Sequence, residues 1–93
     1  MTAFHTLHIL NKTPDHPRFS ECLGTLGTDD ALILTENGVL ALATEINLKT
    51  SRIYALTPDV EARGMVGTTR NSILVDYPEM VDLTLQAQRV ISW

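Results

Sequence analysis

The chain has 93 residues and one cysteine, Cys22. It lies in the stretch RFSECLGTLG, residues 18–27, which reads as a short amphipathic helix. A thiol does chemistry as thiolate, and a nearby cation makes the thiolate easier to form. On a wheel of about 100° per residue, Phe19, Leu23 and Leu26 form a narrow apolar stripe with Cys22 at its edge. Arg18 stands beside Cys22, one turn earlier. The spacing predicts a partly accessible thiol with a cation nearby, and Cys22 is the candidate catalytic residue. Between a working thiol and a small hydrophobe filling the core, the residues favour the second, a common fate of free cysteine. A single cysteine cannot form an intrachain disulfide.

The other side chains able to do chemistry are scattered. His5 and His8 differ in strand parity, so they are expected on opposite faces and not as a joint metal site. His16 sits among prolines. The carboxylates form no close pair by spacing. No HExxH, CxxC or GxSxG is present. The segments TENG and LTPD follow strands, as ligand loops do in open α/β sheets, but neither has the spacing of a phosphate loop. No metal and no cofactor are expected.

The elements that must position Cys22 follow from the apolar pattern. Hydrophobic residues make up 44% and charged residues 19%, which places the chain among globular proteins. Its length fits a single domain over residues 1–93. FHTLHIL (4–10), ALILT (31–35), RIYAL (52–56) and SILVD (72–76) read as strands, with VISW as a short last one. The nearly continuous apolar cores of the second and fourth suit strands covered on both faces. Helical patterns lie between them, so the expected fold is an α/β layered domain with a mostly parallel sheet flanked by helices. In LTENGVLALAT, Asn37-Gly38 could turn a hairpin, but the Leu/Ala-rich run after it favours helix.

Net charge is −4, with two lysines and five scattered arginines. That leaves no basic face to neutralise a nucleic-acid backbone, so no direct nucleic-acid contact is expected. The longest apolar runs are far below the ~18 residues of a membrane span. No secretory signal is legible at MTAFHTLHIL, so a cytoplasmic location is expected.

The last two helices are well punctuated. Thr57, Pro58 and Asp59 suit a helix start, Asp59 and Arg63 are spaced i,i+4, and Gly64 can close the helix in the left-handed conformation. Asp76 and Glu79 can form a capping box. The final helix carries apolar residues over about 200° of its wheel, where a helix on one sheet needs about 100°. Either a neighbouring helix or another subunit must cover the excess. Tyr77, Met80, Leu83 and Trp93 are the interface candidates.

Three stretches, LHILNKTP (7–14), TPDVEARGMVG (57–67) and ILVDYPEMVDLT (73–84), together resemble the DsrH/TusB family of sulfur-relay subunits. VISW is similar to that family's end, which carries a tryptophan at or next to the last position. The similarity covers nearly the whole chain, with a shorter connection around residues 44–51. The resemblance implies a DsrE/F/H-type α/β domain in a cytoplasmic heterohexamer with DsrE/TusD-like and DsrF/TusC-like subunits. That assembly passes persulfide sulfur toward a TusE/DsrC-like acceptor, in sulfur oxidation or tRNA 2-thiouridine synthesis. It places the principal persulfide cysteine on the DsrE/TusD-type subunit and makes this chain an accessory one. A cysteine in the first helix, where Cys22 stands, is a feature of DsrH-type chains and tilts the reading toward sulfur oxidation. Two other readings stay open: Cys22 itself as persulfide carrier, and a self-assembling binding or regulatory protein.

Overall fold

The computed structural model describes residues 3–44, 52–68 and 72–93. Five strands, β1 (Phe4–Leu10), β2 (Ala31–Leu34), β3 (Ile53–Leu56), β4 (Ile73–Val75) and β5 (Ala87–Ser92), form one sheet in the order β4-β3-β2-β1-β5. Every pairing is parallel. The α/β expectation holds, and the mostly parallel sheet is parallel throughout. VISW is the tail of a longer strand that begins at Ala87. The connection expected around residues 44–51 lies, from residue 45 on, outside the described residues.

The strand order decides how the faces are covered. From β1 to β4 each strand is laid beside the last in one direction. Right-handed crossovers therefore place the three intervening connections on one face. These are α1 (Pro17–Thr25), a 3-10 helix (Glu36–Ala43) and the segment containing α2 (Thr57–Ala62). Phe19, Cys22, Val39, Ala41 and Val60 from them pack with Leu10, Leu32, Leu34 and Ala55 of the sheet. The step from β4 to β5 returns across the whole sheet, so α3 (Tyr77–Gln86) lies on the opposite face. There Leu83 and Met80 meet Phe4, Leu7, Ala31, Ile33 and Val75. Among the described residues, one ten-residue helix serves a face as wide as the one that three connections share.

Local signals explain the element ends. Asp76 accepts from the Glu79 amide at 2.8 Å while Glu79 accepts from the Asp76 amide at 3.0 Å, the expected capping box. Gly64 has φ +64, and Arg63 lies 3.9 Å from Asp59. Thr57 is the first residue of α2 rather than its cap; the cap position is Leu56, without a side-chain bond. Asn37-Gly38 turns no hairpin. Gly38 runs against the Leu10 carbonyl at the end of β1, where no Cβ fits. The chain there forms the 3-10 helix, entered through Glu36 at φ 49.

Candidate functional site

Cys22 is fully buried, not at the rim. The helix wheel placed it correctly beside the Phe19 stripe but could not show how far cover extends. The 3-10 helix brings Val39 and Ala41 into the same cluster, and the core closes over the whole α1 flank. Arg18 is exposed and does not act on the thiol. Burial alone pushes the Cys22 thiol up to about 12. The predicted cation-assisted thiolate is therefore corrected: in this conformation Cys22 is a protonated, shielded thiol, and thiolate is what a nucleophile or sulfur acceptor requires.

A second constellation was not foreseen from the sequence. His8 is almost completely buried in the middle of β1, and its Nε2 lies 2.9 Å from Asp30 Oδ2. The Trp93 indole Nε1–H donates to His8 Nδ1 at 3.0 Å. An indole N–H can only donate, so Nδ1 must offer its lone pair and the ring proton sits on Nε2, facing the carboxylate. The same Asp30 oxygen accepts from the Gly27 amide at 2.9 Å. At the other end, Lys12 Nζ donates to the Trp93 carbonyl at 2.7 Å. The Trp93 amide donates to the Ile9 carbonyl at 2.8 Å, and its ring stacks on His8 with centroids 6.1 Å apart. Burial raises the Asp30 carboxyl, but the hydrogen bonds from Gly27 and His8 outweigh it, and the net shift is downward.

The parity expectation for the two histidines fails in one respect. His5 is exposed and His8 buried, yet His5 Nδ1 also comes within 3.9 Å of Asp30 Oδ1. Phe4 and Leu7 share one cluster, so strict alternation does not run through the start of β1. No group of three His, Cys, Asp or Glu side chains suited to a metal occurs among the described residues. His16 caps α1, accepting from the Arg18 amide at 3.0 Å.

The interface candidates separate. Tyr77 is 54% exposed, but Leu83 belongs to the domain's own core and Met80 is half-buried against it. Trp93 is half-buried and engaged with His8. The outward stripe of α3 is Tyr77, Val81 and Leu85, spaced i, i+4, i+8, with Val81 at 54% and Leu85 at 75% exposed. The sheet adds to it on both sides. Ile73 stands beside Tyr54 and Val90 beside Leu7, on the face that α3 covers, and both remain exposed.

These features define a class: a small, wholly parallel α/β domain with a sealed thiol on one side and unfinished apolar cover on the other. Residues 12–90 match the family model for a DsrH like protein, and the chain belongs to this DsrH/TusB family. Protein TusB of Pectobacterium carotovorum subsp. carotovorum (strain PC1) is 36% identical, and that of Pectobacterium parmentieri 33%. Each match covers 94% of this chain and 99% of the relative. The solution NMR structure of protein Tm0979 from Thermotoga maritima is similar with a TM-score of 0.69 and 26% identity, over 86% of this chain and 91% of that one. Among the described residues no helix is long and apolar enough to cross a membrane.

Proposed function

We propose that this chain is an accessory subunit of a cytoplasmic persulfide sulfur-relay complex. Its sister subunits are DsrE/TusD-like and DsrF/TusC-like, and the acceptor served by the complex is TusE/DsrC-like. The observation that carries this reading is the pairing of a buried, protonated Cys22 with an uncovered apolar face. A chain so built is poorly equipped to accept sulfur and well equipped to be held by partners. Membership of the DsrH/TusB family supports the same assignment.

The interface assigned to the partners is Tyr77, Val81 and Leu85 of α3 with Ile73 and Val90 of the sheet. Met80 lies between helix and sheet, and Leu83 supports the helix from beneath. The test is co-expression with the products of neighbouring genes, followed by native mass measurement of what purifies together. A hetero-oligomer is expected. In that complex Cys22→Ala is expected to leave sulfur transfer largely intact. Loss of transfer in an intact complex would make Cys22 a carrier and overturn the accessory role.

A further inference from the structure

We propose that Trp93 is a releasable strap. When its indole leaves His8, the turn between Gly27 and Asp30 loosens and the core beneath α1 opens locally, without global unfolding.

Trp93 follows β5, an edge strand with no neighbour on its outer side among the described residues. The residue is only half-buried. It is held by its indole bond to His8, its backbone bond to Ile9, the Lys12 contact and the stack on the imidazole. Sheet edges with exposed hydrogen bonds are the parts of a fold that open at low free energy. Trp93 also packs against the cluster that contains Cys22, so its departure removes cover from that side.

The consequence for the far end of β1 follows from how the His8 ring is held. With the indole in place, Nδ1 must accept and Nε2 must donate to Asp30. With the indole gone, the carboxylate still favours a proton on Nε2, but the ring loses the bond and the ring contact that fix its orientation. An imidazole free to turn no longer keeps Nε2–H aimed at Asp30, and the His8–Asp30 bond weakens. Asp30 also receives the Gly27 amide, and the Asp30 amide donates back to the Gly27 carbonyl at 3.1 Å. Gly27 follows directly on Leu26, which lies in the same cluster as Cys22. The relay thus connects Lys12 and Trp93 at one end of β1 with the segment that closes α1 at the other. This inference stands apart from the assembly reading and survives its failure.

The test measures exchange of the Gly27 amide and iodoacetamide labelling of Cys22 in the full chain, across low urea concentrations. In the wild type both rates are expected to depend only weakly on urea, the mark of local opening. Trp93→Phe keeps a ring but removes the donor, and it is expected to raise both rates about tenfold with the slope still shallow. Leu83→Ala, on the opposite face, is expected to leave the urea-independent rates at the wild-type level. The proposal is overturned if wild-type Gly27 and Cys22 react only with the full urea slope of global unfolding. It is equally overturned if Trp93→Phe folds and leaves both rates unchanged.

Discussion

His8 and Asp30 meet across the boundary between β1 and β2 through a 2.9 Å bond, in which a buried imidazole faces a carboxylate that stays largely covered. Asp30→Ala would leave the His8 Nε2–H and the Gly27 amide without their acceptor. A loss of about 1–3 kcal/mol is expected, read from urea unfolding. The pH dependence has a definite sign. The folded carboxyl ionises at lower pH than the unfolded one. Its contribution is therefore present above about pH 4 and disappears as pH falls through the folded value. In Asp30→Asn the acid limb of stability should be shallower than in the wild type.

Cys22 makes the opposite prediction at high pH. Its folded thiol ionises at about 12, whereas an unfolded thiol ionises near about 8.5. Stability from the buried thiol is complete below the unfolded value and is lost as pH rises toward the folded one. Thermal melts between about pH 8 and pH 10.5 should fall more steeply in the wild type than in Cys22→Ala. At neutral pH the same substitution should cost about 1 kcal/mol, the scale of one small buried group. Equal slopes in the two proteins would mean that the thiol is open to solvent.

Two glycines separate conformation from space. Gly64 has open room for a Cβ but sits at φ +64, whereas at Gly38 a Cβ would collide with the Leu10 carbonyl. Gly64→Ala should cost about 1 kcal/mol through the backbone alone. Gly38→Ala must push β1 and the 3-10 helix apart and should cost well over about 2 kcal/mol. Urea midpoints in that order are the expected result.

The two sides of α3 should respond differently. Leu83→Ala removes a core side chain and should cost about 2–5 kcal/mol. Val81→Glu and Leu85→Glu change exposed positions and should shift stability by less than about 0.5 kcal/mol while releasing partners. If the Glu variants still co-purify with the sister subunits, α3 is not the interface.

What was legible in the sequence is what depends on neighbours along the chain. Ala31 to Leu34 announce a strand covered on both faces, and all four are buried. Asp76 and Glu79 announce their reciprocal cap because three residues fix its geometry. The site was less legible. Cys22 has its depth set by Val39 and Ala41 from a different connection, which no wheel of α1 contains. His8 meets Asp30 at a separation of 22 residues and Trp93 at 85. Those partners follow from strand order, and strand order is not a local property. The apolar excess on the last helix was visible, but the wheel could not say which half of it the sheet would take. The sheet took Leu83 and left Val81 and Leu85 outside.

The placement of β5 beside β1 also has a kinetic side. This pair joins the first strand to the last and makes β1 an interior strand of the sheet. Contacts so distant in sequence are entropically costly to close and tend to form late. Before they form, β1 presents an open edge of the kind that pairs with other chains. Trp93, the one tryptophan, sits where that closure finishes. Its fluorescence in a stopped-flow refolding trace therefore reports the last step of sheet formation. If that signal settles well before far-ultraviolet circular dichroism does, β5 docks early instead.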